Sequence, residues 1–391
     1  MVDYKTAIDL ILSTVKTLPA GHVDLPQALH RVLAHDVFYD TDMPPFDKSA
    51  MDGYACRKED INSRLEVVGT IPAGKLPEKK VLKNQCCKIM TGAVVPPGAD
   101  FVFRKEDARI TGSGLVQCTS HGSVNHICYR GEDVKKGDKV LDQSTLITAR
   151  HLPLLAGAGV TRPVVYNRPE IAVFATGTEL VEPVEKPLTF QIRNTNAAQL
   201  MGLLAELNIP ASYGGILPDN QSILVSKLAE AFRSKQVVIL TGGVSAGDYD
   251  LIPDVLEELD FKIRVDSTAI KPGKPMAFAV KDDRYCFGLS GNPVSSYIQF
   301  ELYVKPFLHA LMGHNYRPVI FKLPLAKELN REISDRVNFL PANISAEMDV
   351  VPVEFHGSAH INALALATCI IEIGKGVDNL KKGTLVNVRP L

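Results

Sequence analysis

Between residues 168 and 314 short apolar runs alternate with amphipathic ones, and this alternation restricts the fold more tightly than any other feature of the chain. EIAVFAT reads as a strand, TNAAQLMGLLAELNI as a helix, ASYGGIL as a strand and SILVSKLAEAFRS as a helix. VVILTGG (strand), LIPDVLEEL (helix), AFAV and YCFGLSG (strands) and one long helix, VSSYIQFELYVKPFLHALMG, complete the series. Strands alternating with helices at this spacing predict a mostly parallel, doubly wound sheet. Sheets of that kind bind ligands outside the carboxyl ends of their strands.

The flanking segments have other textures. Residues 1–18 predict an amphipathic helix with Ala7, Leu10, Ile11, Val15 and Leu18 on one face, and residues 1–40 read as helical apart from a break at Leu18-Pro19-Ala20-Gly21. From about 46 to 145, LEVVGTI, CCKIMTG, DFVFR and KVL alternate with Gly, Pro and charged turns, as in a small all-β module. LITARHLPLLAGAGV then reads as a helix, so the β module is expected as an insertion into a helical unit. After His314 the texture is β-like to the end, with turn signals at Pro341, Gly357, Gly374 and Gly383. The expected parts are a helical unit over 1–45 and 146–167, an inserted β-rich domain over 46–145, an α/β domain over 168–314 and a β-rich domain over 315–391. A chain of 391 residues has room for that many cores.

Charge and cysteine usage exclude several classes. The formal net charge is −1 with no basic block, so the footprint of a nucleic-acid binder is absent and any anion must be held by a local cluster. The seven cysteines form no C-x-x-C pair, which argues against a disulfide framework or structural zinc. The N-terminal stretch carries Asp3 and Asp9 and lacks the basic start of a signal peptide, and no apolar run reaches membrane-spanning length. The expected setting is cytoplasmic.

Three strand ends run into glycine loops: ATGTEL (175–180), TGGVSAGDYD (241–250) and GLSGNPVSS (288–296). Such loops offer backbone N–H groups to phosphate, and three on one sheet would line one rim together. They match neither a dinucleotide fingerprint nor a P-loop. KPGKP at 271–275 holds Lys271 and Lys274 close together, either as solvated surface or as a cationic pocket for an oxyanion. Asp52, Asp133, Glu179, Asp219 and Asp250 stand in turn contexts, where each serves either as a cap or as one of the hard oxygen ligands that Mg²⁺ takes beside phosphates. No Ser or Cys stands in a nucleophile elbow, so the chemistry implied is electrostatic.

In order along the chain, PPFDKSAMDGYA, KIMTGAVVPPGAD, YRGEDV, ATGTEL, GGVSAGDYD, AIKPGKPMAFA and GLSGNPVSS closely resemble the MoeA family of molybdopterin molybdenumtransferases, to which the C-terminal domain of gephyrin belongs. The likeness runs from about residue 5 to the C-terminus. It implies a multi-domain α/β plus β architecture: an elongated helical linker domain with an inserted β domain, a doubly wound α/β molybdopterin-binding domain and a C-terminal β barrel. It also implies a homodimer whose clefts combine the β domain of one subunit with the last two domains of the other. The implied reaction inserts molybdate into adenylylated molybdopterin with Mg²⁺, cleaving the pyrophosphate bond and releasing AMP. A molybdopterin adenylyltransferase and recipient molybdoenzymes are the implied partners.

Carried over by motif, Asp52, Thr91, Asp133, Glu179, Asp219 and Asp250 form an acidic and polar wall, with Glu179, Asp219 and Asp250 as Mg²⁺ ligands. Lys271, Lys274, Pro275 and Ser295 match the molybdate and phosphate pocket, and Arg336 and Ser358 match further molybdate contacts. The loops at Thr241, Gly242, Gly243 and Ser245 and at Gly291, Asn292 and Pro293 match the positions that hold the pterin phosphate and its nucleotide. The chain departs from the family pattern at Ser290, where proline is usual. Two other classes share parts of the pattern: a gephyrin-like scaffold without catalysis, and an adenylyltransferase that forms the AMP adduct instead of consuming it.

Overall fold

Every residue of strand β1 (Ile171–Thr176) is buried, because helices cover both faces of its sheet. Ile171 and Val173 point into one apolar cluster and Ala172 and Phe174 into another, as the two-residue period of a strand requires. The other strands are β2 (Ala211–Leu217), β3 (Val237–Thr241), β4 (Lys262–Ser267), β5 (Pro275–Lys281) and β6 (Arg284–Leu289). Their order is β2-β1-β3-β6-β5-β4, with the first three pairings parallel and the last two antiparallel. Helix α1 (Asn196–Glu206) and α4 (Pro293–Gln299) pack on one face, and α2 (Gln221–Phe232) and α3 (Ile252–Glu258) on the other. The doubly wound expectation holds, with an antiparallel edge added.

The computed structural model describes residues 1–120, 124–244, 251–355 and 357–391. It divides into two compact units: Met1–Ala34, Ser144–Thr148 and Val164–Leu391 form the first, and His35–Gln143 with Ala149–Pro163 the second. No helix among the described residues is long and apolar enough to cross a membrane. No disulfide joins any of the cysteines among the described residues.

In the first unit, the helical reading of residues 1–40 needs correction. An α-helix spans only Tyr4–Leu12, with Asp3 capping the N–H groups of Lys5 and Thr6, and a 3₁₀ turn follows at Leu25–Ala28. It stops because the Ser13 and Thr14 hydroxyls turn back to the carbonyls of Leu10 and Ile11, each at 2.7 Å, competing with helix continuation. Past Pro19, Ala20–His22 pairs antiparallel with Val164–Tyr166, so tertiary pairing overrides local propensity. In the second unit, the helix expected from residue 146 is likewise shorter, a single 3₁₀ turn followed by Leu152–Gly157. Pro153 suits the first turn of that helix, and Gly159, at φ 72°, lies just past its end. The long C-terminal helix of the α/β layer runs from Pro293 to Leu311 with a π turn at Phe300–Val304.

A second sheet of this unit orders Ile270–Lys271, Val337–Ile344, Cys369–Ile373, Leu385–Pro390 and Phe321–Pro324, with Val350–Pro352 also paired to Val337–Ile344. A bridge between Leu325 and Val350 brings its far edge back toward that pair, so the sheet curls around Leu323, Ala342, Ile371 and Val388. Lys271 thus belongs to this sheet as well as to the loop that leads into β5.

The second unit is built on a sheet ordered Phe101–Arg104, Gly53–Cys56, Gln85–Ile89, Leu65–Ile71, Leu115–Cys118 and Ala108–Gly112. Gly53 is obligatory at its crossing with Phe103: a Cβ there would stand 1.9 Å from the Phe103 carbonyl oxygen. The runs LEVVGTI, CCKI and FVFR supply three of its strands.

Candidate active site

The carboxyl ends of β1, β3 and β6 open on a cleft of about 800 Å³. Its walls include Thr176, Gly177 and Glu179 after β1, Thr241 to Val244 after β3, and Ser290 to Pro293 after β6. Asp219, which follows β2, and Pro275, which opens β5, complete them, and α1 begins on the same wall at Asn196. Gly242 and Gly243 have φ of 100° and 64°, and a Cβ on Gly242 would lie 2.3 Å from the Thr176 carbonyl oxygen. Only glycine lets the two strand ends approach so closely.

Side chains fix the loops to one another. Thr241 Oγ1 donates to the Ser290 carbonyl at 3.1 Å and accepts from Asn196 Nδ2 at 2.7 Å. Asn196 Nδ2 also reaches the Gly291 carbonyl at 2.9 Å. Asp219 Oδ2 accepts the N–H and the hydroxyl of Thr178 at 3.1 and 3.0 Å. Two polar atoms remain unpartnered among the described residues beneath the cleft, Thr176 Oγ1 and Asn196 Oδ1, on side chains only 3% and 7% exposed.

The lysine loop stands beside this rim. Fully buried Gln299 donates from Nε2 to the carbonyls of Gly273 (2.9 Å) and Pro275 (2.6 Å), while its Oε1 accepts the Ser290 N–H at 2.8 Å. Lys274 is exposed and Lys271 half-buried, and neither side chain is among those lining the cleft. Arg336 lies next to them, donating from Nη1 to the Ile270 carbonyl at 3.3 Å. The Ser358 carbonyl accepts the Val294 N–H at 3.0 Å, which sets Ala359 and Ile361 on the cleft wall. Ser295 is buried in α4, 2% exposed, off the wall itself.

Asp52, Thr91 and Asp133 lie in the second unit. Asp52 Oδ1 accepts both the N–H and the hydroxyl of Thr91 at 2.9 Å, and Lys105 Nζ stands 3.6 Å from Oδ2. These contacts, the Thr91 N–H foremost, hold the carboxyl below its usual range. The stiff PPFDKSAMDGYA loop is pinned to the segment carrying Asp133: Ile127 pairs with Ser49 and Cys128 with Lys48, and the Asp133 N–H reaches the Met43 carbonyl at 3.0 Å. Arg130 Nε bonds Asp42 at 2.6 Å from the same segment.

Of the residues chosen from the sequence, Glu179, Asp219, Thr241, Gly242, Gly243, Pro275, Gly291, Asn292 and Pro293 share the cleft. Ser245 and Asp250 lie outside the described residues. Sequence reasoning missed Thr176, Asn196 and Gln299. A polar residue closing the otherwise apolar strand IAVFAT, and Asn-Thr-Asn opening an apolar helix, were the available signals for the first two. Gln299 had none, since one glutamine in a long helix is unremarkable until the loops meet it.

A doubly wound sheet with a cleft outside the carboxyl ends of its strands is the arrangement in which α/β proteins of this class hold their ligands. Residues 2–159 match the MoeA N-terminal region (domain I and II), 172–310 the probable molybdopterin binding domain and 322–391 the MoeA C-terminal region (domain IV). The chain is 33% identical over 397 residues to a molybdopterin molybdenumtransferase of Staphylococcus epidermidis, covering 99% of this chain and 95% of that protein. It is 34% identical over 379 residues to the molybdopterin molybdenumtransferase of Haemophilus influenzae, covering 94% and 93%. The crystal structure of the molybdopterin biosynthesis moeA protein from Pyrococcus horikoshii superposes with a TM-score of 0.85 at 28% identity, over 100% of both chains. The chain belongs to the MoeA family, whose members act in molybdenum cofactor biosynthesis.

Proposed function

We propose that the chain inserts molybdate into adenylylated molybdopterin, cleaving the pyrophosphate bond and releasing AMP. The observation that carries this reading is the cleft at the carboxyl ends of β1, β3 and β6, lined by three glycine loops and by Glu179 and Asp219 within the probable molybdopterin binding domain. The loops at Thr241–Gly243 and Gly291–Pro293 bind the phosphates and orient the ligand. Lys271 and Lys274, with Arg336 and Ser358 nearby, attract the molybdate oxyanion. Glu179 and Asp219 supply hard carboxylate oxygens on the cleft wall, a donor set that fits Mg²⁺ alongside substrate phosphates. Bound there, the ion would neutralise charge on the pyrophosphate.

The acids of the second unit enter through a homodimer. Asp52, Thr91 and Asp133 of one protomer complete the cleft of its partner, and the pinned loop presents Asp52 without an ordering cost at each binding event. The test is AMP release by purified protein given adenylylated molybdopterin, molybdate and Mg²⁺. Release that requires molybdate supports the reading. Binding of the ligand with no cleavage favours a scaffold instead.

A further inference from the structure

Residue 290 is serine, so the chain has a backbone N–H to offer at this point, which a proline would lack. That N–H is buried and donates to Gln299 Oε1 at 2.8 Å. The Gln299 amide is oriented without ambiguity, because its other end meets the carbonyls of Gly273 and Pro275, which can only accept. A fully buried side chain thus joins the loop bearing Lys271 and Lys274 to the glycine loop that ends β6. Each loop also has anchors of its own. Thr268 holds Gly273 and Lys274 through its hydroxyl (3.2 Å) and its N–H (3.0 Å), and Thr241 holds Ser290. Beyond the last β5–β6 pair, Ala277 with Gly288, the amide of Gln299 links the two loops.

We propose that Gln299 is a positioning residue for the reaction: acting through Ser290, it fixes the separation between the lysine loop and the glycine loop, and so between oxyanion and pterin phosphate. This rests on the function proposed above. Because each loop keeps its own anchors, loss of the link should misalign the two reactants while leaving the binding of each nearly intact. Misplacement by a fraction of an ångström is enough to slow a reaction between two held partners.

The test is a cycle of Gln299→Met, Ser290→Pro and the double variant, each read for kcat of AMP release and for the dissociation constant of adenylylated molybdopterin measured without molybdate. Gln299→Met is expected to lower kcat on the order of tenfold with the dissociation constant changed less than about threefold. Ser290→Pro removes the N–H at the other end of the same link, and the Ser290 Oγ bond to the Asn292 N–H with it, so kcat should fall at least as far, and Gln299→Met should add almost nothing in that background. Additive effects, or equal losses in kcat and ligand affinity, would overturn the proposal. Hydrogen exchange gives a readout independent of activity: residues 270–275 and 289–292 should both exchange faster in Gln299→Met, and unchanged exchange in either segment contradicts the link. An inactive wild type would bring down the proposed function and this role with it. An active wild type with an unaffected Gln299→Met would bring down this role alone.

Discussion

Asp52 and Thr91 are joined twice, the Thr91 N–H and hydroxyl both donating to Asp52 Oδ1 at 2.9 Å. The pair depresses the Asp52 carboxyl, so the carboxylate form is the one the fold favours. A depressed carboxyl contributes its stabilisation above its unfolded-state pKa and loses it as pH falls through the folded value. Asp52 therefore stays ionised throughout the neutral range, and the pH profile of AMP release should carry no limb from it above about pH 4. Asp52→Asn should reduce AMP release on the order of 100-fold with Tm nearly unchanged, because removing charge from a preorganised site costs rate more than stability. Thr91→Val, which keeps one of the two bonds, should fall between.

Thr176 offers a stability gain with a functional loss. Its hydroxyl is buried without a partner among the described residues. Replacing it by a methyl group in Thr176→Val removes an unsatisfied polar atom, so stability should rise by roughly 1 kcal/mol in urea denaturation. Affinity for adenylylated molybdopterin should fall, since the hydroxyl beneath the glycine turn is then lost to the ligand. A variant that is both less stable and fully active contradicts this.

Gly242→Ala should do the opposite of a conservative change. Its φ of 100° and the 2.3 Å approach to the Thr176 carbonyl leave no place for a Cβ. The expected loss is at least roughly 2 kcal/mol of stability, with ligand binding abolished as β1 and β3 are pushed apart.

Strands β1, β2, β3, β5 and β6 were legible, β1 and β3 most plainly because they are apolar up to their closing threonines, which only a two-sided cover explains; β4, with alternating charged residues, was not read. The N-terminal forty residues were not. The apolar spacing of Ala7 and Ile11 was read correctly, but the strand at Ala20–His22 exists through its partner 142 positions or more away, a pairing no local pattern announces. Within the site, glycine turns and acids could be found by composition. Thr176, Asn196 and Gln299 could not, because their roles come from which loops are brought together.

His309 predicts an acid sensitivity. Burial pushes its imidazole down to about 4, with His314 and Lys305 adding to the effect, and its ring stacks on Tyr316 at 4.6 Å. The native state holds it neutral while the unfolded chain takes up a proton near pH 6.5, so its contribution is complete above that pH and is lost on acidification from about 6.5 to about 4. Over that window the loss is on the order of 3 kcal/mol. His309→Phe should flatten the difference between denaturation midpoints measured at pH 7 and pH 5. An unchanged difference would assign the sensitivity elsewhere.

The proposed cross-subunit site is tested most directly by mixing two inactive variants. Asp52→Ala retains Lys274, and Lys274→Ala retains Asp52, so a mixed dimer contains one cleft with both residues. Co-refolded at equal amounts, the pair should recover roughly one quarter of wild-type AMP release, since half the dimers are mixed and half of their clefts are complete. Mixed dimers verified by mass that release no AMP would show that Asp52 and Lys274 do not meet across two copies of the chain.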